Sequence, residues 1–406
     1  MCLYINCFAR IKPYTVAPIS LLSKDIPAKY FQPLVQARDT RFCFLLGHLP
    51  NLISVFPLER RFTAMKFVII LGLVSSFVAA GKIDPQILEN IKSTGSSDVL
   101  VSFKNSKLAQ VRSQFIETHK LSDRSIRLNS FYLTLKNHAD QTQSKFLSSL
   151  DKLNSSNSVE IRELWITNQL IIRKASEEII RLLRDSNEIS NVQADRIIPL
   201  LTPTFSRQPG KSCNSTSSEG IPWGISRIEA SKVWADEFRG QGVVVSNVDT
   251  GVQYTHEALK ENYRAEYGWF DPYEGTTIPN DPQGHGTHTM GTLVGRAKVI
   301  GVAPEAKWIA CKGCSTSGCS TNALLLCGQW TTCPSNPDGQ KNCSMASLVS
   351  SNSWGSRSGD PWYEEILDAY VAVGIHAVFS IGNRGSSCES TGYPGEQSLK
   401  MLMQEG

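Results

Sequence analysis

Gly242-Val-Val-Val-Ser-Asn-Val-Asp249-Thr-Gly251 is the stretch that decides the fold. Its nearly continuous apolar run, closed by an acid and a Thr-Gly turn, is the pattern of a strand covered on both faces in a parallel sheet. Three further runs, Ala306 to Ala310, Ser347 to Ser350 and Ile375 to Phe379, read the same way. Between the last two, the spacing predicts a helix. Asp360 is placed to cap it and Pro361 suits its first turn. Tyr363, Ile366, Leu367, Tyr370 and Val371 share one face, and Gly374 follows the end. Buried strands alternating with covering helices give a doubly wound, mostly parallel α/β sheet, in which sites form at the carboxyl ends of strands.

Three short motifs fall at such ends or beside them. Asp249-Thr-Gly251 closes the first strand, Gly284-His285-Gly-Thr-His288 opens a segment rich in small residues, and Ser380-Ile-Gly-Asn383 follows the strand ending at Phe379. Each is weak alone. An Asp-Thr-Gly is an ordinary turn, and the aspartic proteases that use it need two copies on an all-β fold, whereas this chain has one. His285 and His288 are three residues apart, while the zinc-protease pattern sets a Glu beside the first His and the second His four residues on. No metal site is expected there. A Gly-Asn pair is commonly a turn.

Taken in order, the motifs resemble the acid, the base and the oxyanion-binding asparagine of subtilisin-like serine proteases. The resemblance covers roughly 221 to 395. Within that family Pro222-Trp-Gly-Ile-Ser-Arg-Ile-Glu-Ala230 and Ser351-Asn-Ser353-Trp354-Gly355 look most like the bacillopeptidase F branch. The resemblance implies that Asp249 orients His285, that His285 is the general base, and that Asn383 stabilises the oxyanion. It also implies a specificity pocket between Ser353, Trp354 and Gly355 on one wall and Ser380, Ile381 and Gly382 on the other, with a core aromatic as the other reading of the Trp354 ring. Polypeptides are the implied substrates, and no cofactor is required. Structural calcium is a family possibility only, since no acidic loop matches an EF-hand.

The same family carries its nucleophile in a Gly-Thr-Ser-Met-Ala stretch well after the asparagine, and no such stretch follows Tyr393-Pro-Gly-Glu396. Ser344-Met-Ala346 matches its last three residues but lacks the Gly-Thr and precedes the substrate-binding segment, so it reads as a decoy. The expected peptidase domain is therefore 221–406, truncated before the catalytic serine. Such a chain leaves apolar surface and a strand edge open, and is expected neither to fold well nor to cleave peptides. The alternative is a catalytically inactive binding protein or a propeptide-type protease inhibitor.

The amino-terminal third divides into three. The formal charge is +4 overall, yet residues 1–64 hold eight Lys or Arg against three Asp or Glu, which leaves −1 for the rest. Charge gives no argument for nucleic acid. Residues 1–64 show no period and read as a spurious extension; the alternative is a genuine extension with an internal signal anchor. Met65-Lys66, the apolar run Phe67 to Val74 and the small residues up to Ala80 read as a signal peptide at 65–80. That run is shorter than the ~20 residues needed to span a bilayer, so a secreted protein, free of the membrane once the signal is removed, is expected.

Residues 82–205 are polar and Cys-free. They carry strands at Val99 to Phe103 and Val159 to Ile166, a helix at Ser130 to Leu150, and another bearing Ile179, Ile180, Leu182 and Leu183. Ile197 to Leu201 then runs into a Pro- and Ser-rich linker of the kind proteases cut. This is a small α+β domain. Its position resembles the family's propeptide, which would assist folding and inhibit the enzyme intramolecularly through its tail; a generic binding domain is the other reading.

Of the eleven cysteines, eight follow Met65, and six of these crowd between Cys311 and Cys343. An even set in an oxidising compartment favours disulfides. With only one close pair, Cys311 and Cys314, zinc is disfavoured and a disulfide-stapled surface insertion is expected. Sequons at Asn154, Asn214 and Asn342 agree with secretion.

Overall fold

The structure is a computed structural model, and it describes residues 82–104, 106–153, 159–200, 221–297, 300–357, 359–385, 388 and 390–397. The 1–64 extension, the 65–80 signal, the linker after Leu200 and the last nine residues lie outside that set, as do Asn154, Cys213 and Asn214. The described residues, which begin at Lys82, form one compact unit.

The amino-terminal part of that unit runs α1 (Pro85–Thr94), β1 (Ser97–Phe103), α2 (Leu108–His119), α3 (Arg124–Leu153), β2 (Glu160–Leu164), β3 (Gln169–Ala175), α4 (Glu177–Asp185), β4 (Ile189–Ala194) and β5 (Ile197–Ile198). The first four strands make an antiparallel sheet in the order β2-β3-β1-β4. Ser176 caps α4 by accepting from the Ile179 amide, and Ile179, Ile180 and Leu183 bury its apolar face against the sheet. The expected α+β layout holds, with a longer α3 and with α1, α2, β3 and β4 added.

The second part runs α5 (Trp223–Arg227), α6 (Ala230–Ala235), β6 (Val244–Asp249), β7 (Trp269–Phe270), α7 (His285–Val294), β8 (Lys307–Lys312), β9 (Cys319–Ser320), α8 (Thr321–Thr332), β10 (Val349–Asn352), β11 (Ser356–Arg357), α9 (Glu364–Val373), β12 (His376–Phe379) and β13 (Gly392–Tyr393). Its main sheet is parallel throughout, in the order β12-β10-β6-β8-β7. Asn352 of β10 lies opposite both Val248 of β6 and Phe379 of β12, so these three strands end side by side. This is the doubly wound α/β sheet that the apolar runs predict. Gly374 closes α9 in the left-handed conformation at φ 70°.

Two expectations are corrected. Asp360 does not cap α9, whose flanking residue is Tyr363. Its carboxylate is instead held by Arg196 at 2.8 Å, reaching across from the amino-terminal part. The cysteine-rich segment is also no surface insertion. Cys311 is joined to Cys327, Cys314 to Cys319 and Cys333 to Cys343, and all six are buried, as is every residue of α8. Neighbouring elements therefore cover this helix on all sides. Here Leu324, Leu325, Leu326 and Trp330 share one core with Leu128, Phe131, Trp165 and Ile166 of the amino-terminal part.

Polar contacts complete that junction. Asp195 accepts from the Ser320 and Thr321 hydroxyls at 2.6 and 2.9 Å and from the Asn322 amide at 3.0 Å, which caps α8 from outside its own segment. β5 pairs antiparallel with β9. Gln329 accepts from the Ile166 amide and donates to the Glu163 carbonyl, and buried Arg112 donates to the Glu365 carbonyl and the Asp368 carboxylate. Converting Cys311 and Cys327 to Ala, which opens a 16-residue separation, is expected to lower unfolding free energy by about 3 kcal/mol. Opening Cys314 and Cys319, separated by 5 residues, should cost nearer ~2 kcal/mol; denaturant midpoints of the two variants compare them.

Candidate active site

Asp249 is the last residue of β6 and His285 the first of α7, so a strand end and a helix start bring the pair together. His285 Nδ1 lies 2.7 Å from Asp249 Oδ1. The Asp249 side chain is 2% exposed and that of His285 14%, which leaves the imidazole as the partner that faces outward. Asp249 Oδ1 also accepts from the Thr250 amide at 2.7 Å, and Oδ2 accepts from the Thr289 hydroxyl at 3.2 Å. The carboxylate is thereby fixed from three directions. Its hydrogen bond raises the His285 pKa above the ordinary value of 6.5 against the opposing effect of burial, with the Asp249 and Asp281 charges adding to the rise.

Two glycines allow the approach. Gly251 sits at φ +109°, and a Cβ there would fall 1.9 Å from the Asn280 carbonyl oxygen. At Gly286 a Cβ would meet the Gly251 oxygen at 2.0 Å and Asp249 Cβ at 3.1 Å. Helix α7 can thus lie against the end of β6 only with hydrogen at Gly286, and the turn after β6 can pass Asn280 only with hydrogen at Gly251.

Sequence reasoning missed Asp281. Its Oδ1 accepts from the Thr250 hydroxyl and the Gly284 amide, both at 2.8 Å, and its Oδ2 from the Thr287 amide at 2.8 Å and the Thr287 hydroxyl at 2.6 Å. One carboxylate therefore ties the turn after β6 to the first turn of α7. An acid shortly before a helix start was the available signal. Asp281→Ala is expected to lower stability by about 1–2 kcal/mol and to loosen the His285 orientation. Asp281→Asn should recover part of the stability in a thermal melt.

The other expected residues lie at neighbouring strand ends. Ser353, Trp354 and Gly355 follow β10, Ser380 to Asn383 follow β12, and the Ser380 amide donates to the Asn352 carbonyl at 3.0 Å. Gly355, Ile381 and Gly382 line one small pocket together with Ser356, Arg384 and Gly392. Ser380 and Asn383 are exposed, and Ser353 is half-buried. The Trp354 ring does not line the pocket. It is buried in an aromatic cluster, edge-on to Tyr363 and Phe379 at 5.0 and 5.2 Å, so the core reading of the ring is the right one. Ser344 is engaged by Ser125 and Asn129 of α3 at 2.6 and 3.0 Å. His288 is exposed on α7, and among the described residues no group of three or more His, Cys, Asp or Glu is placed to hold a metal.

A parallel α/β sheet with an aspartate at a strand end hydrogen-bonded to a histidine at a helix start is an arrangement that serine hydrolases use. The chain matches the model of the subtilase family, Peptidase_S8, over residues 240–401. It is 31% identical over 329 residues to Bacillopeptidase F of Bacillus subtilis (strain 168), covering 74% of this chain and 23% of that protein. It is 32% identical over 183 residues to Subtilisin DY of Bacillus licheniformis, covering 44% of this chain and 61% of the relative. The chain thus spans less than two thirds of either relative. The crystal structure of fervidolysin from Fervidobacterium pennivorans, a keratinolytic enzyme related to subtilisin, aligns at 17% identity with a TM-score of 0.46, over 74% of this chain and 41% of that one.

Proposed function

We propose that this chain is the zymogen of a secreted serine-type endopeptidase that hydrolyses polypeptides by acyl transfer. The observation that carries the reading is the 2.7 Å hydrogen bond between His285 Nδ1 and Asp249. It leaves Nε2 free in role to take the proton of a serine hydroxyl as that oxygen attacks the substrate carbonyl. The imidazolium then forms beside a fixed carboxylate and passes its proton to the leaving amine. Asn383 would donate to the oxyanion, and Ser353 to Gly355 with Ser380 to Gly382 would seat the substrate.

Residues 82–205 would act as the propeptide and its linker. Two observations favour this: Asp195 caps α8, and the 329-residue match to Bacillopeptidase F is longer than the 240–401 segment and so extends outside it. Among the described residues no helix is long and apolar enough to cross a membrane.

The test uses the protein purified from its natural source. Cleavage of denatured casein and covalent labelling by a fluorophosphonate probe are expected, together with a transcript running from Met65 past Gly406. A protein that does neither, yet blocks an intact subtilase, would instead establish the inhibitor reading.

A further inference from the structure

The pocket beyond β10 and β12 contains a single charged lining residue. Its other lining residues are glycines, serines and Ile381, and the charge is Arg384, next to the proposed oxyanion donor Asn383. Ile381, 40% exposed, offers an apolar surface for methylene groups. Arg384 is exposed, and among the described residues no carboxylate is paired with it. Among the described residues, two acids on adjoining segments have partners of their own: Asp360 is held by Arg196, and Glu396 accepts from the Gly359 amide at 2.9 Å. A guanidinium offers a planar fork of donors suited to a carboxylate, and it repels a cation.

We infer that this pocket selects peptides carrying a glutamate or aspartate at the residue that fills it, and that Arg384 sets this preference. The inference rests on the reading of the site as a peptidase cleft. No chemistry beyond peptide hydrolysis is needed, since Arg384 binds the side chain and takes no part in bond breaking.

The experiment measures kcat/KM of the natural, full-length protein on peptides that differ only at the residue before the cleaved bond: Glu, Asp, Ala or Lys. Glu and Asp are expected to exceed Lys by about tenfold, and Arg384→Glu to reverse the order, from ion-pair strengths typical of exposed groups. The wild-type preference should shrink in 0.5 M salt, a concentration at which roughly 4–5 Å suffices to screen exposed charges. Should Arg384→Glu misfold, Arg384→Ala serves, and it is expected to abolish the preference rather than reverse it. Cleavage with equal or basic preference, or a profile unmoved by both substitutions, overturns the inference and leaves the peptidase reading standing. Failure to cleave any of the peptides overturns that reading, and the inference with it.

Discussion

Replacing Asp249 with Asn is expected to lower turnover of the active protein by about 10⁴, with substrate binding little changed. The geometry gives the reason. Asp249 accepts from His285 Nδ1 at 2.7 Å, which puts the proton on Nδ1 and leaves Nε2 as the acceptor. An amide at 249 can turn its NH₂ toward the ring and favour the other tautomer, so that Nε2 carries the proton and no longer serves as a base. The isosteric change preserves packing around a side chain that is 2% exposed, so circular dichroism and thermal melting should remain near wild type. A comparable loss of stability and activity together would point to a structural role instead.

The same substitution should move the pH profile. The Asp249 hydrogen bond raises the His285 pKa, and a general base works only when neutral, so activity should rise with pH through that raised value. Without the carboxylate, the residual activity should persist to lower pH. Stability runs the opposite way. A histidine whose folded pKa lies above its unfolded value contributes stability that is fully present below the unfolded pKa. That contribution is lost as pH rises through the folded pKa. Unfolding followed at several pH values across that window should show the contribution in wild type and not in the Asn variant.

Gly286→Ala is expected to be the most disruptive single substitution near the site. The added methyl would sit 2.0 Å from the Gly251 carbonyl oxygen, which is backbone and not the tip of a movable side chain. Relief requires either α7 or the turn after β6 to shift. Either movement parts His285 from Asp249 and strains the contacts that Asp281 makes to both. A loss of about 3 kcal/mol or more, in the range of overpacked core sites, is expected, with turnover falling as well. Gly284→Ala is the control: nothing lies within 4 Å of a Cβ there, and only its φ of +90° resists the change. If Gly286→Ala melts no lower than Gly284→Ala, close backbone contact is not what the position requires.

Much of this was legible in the chain because it is local. The apolar run into Asp249 predicts a buried strand and the side of the sheet on which its acid emerges, and β6 obeys it. The small residues around His285 announce a tight helix–strand approach. What was illegible depends on partners far away in sequence. Asp360 looks like a cap until Arg196, 164 residues earlier, takes its carboxylate. Six crowded cysteines look like a stapled loop until the amino-terminal part is seen to cover α8, because covering residues leave no local mark. Trp354 belongs to an aromatic core assembled from Trp362, Tyr363 and Phe379, and only the fold brings those rings to it.

One consequence follows from the bonds that hold α8. Cys311–Cys327 ties the helix to the end of β8, and Cys333–Cys343 anchors the residue after its last turn. A helix pinned in this way cannot slide along its neighbours, so shear, the common small motion of packed helices, is closed to it. In the proposed zymogen, release of the amino-terminal part would require β5 to unpair from β9 and Asp195 to leave the start of α8. The two-residue ladder at Ile197 and Ile198 would then be one of several contacts to break, beside the ion pairs of Arg112 and Arg196.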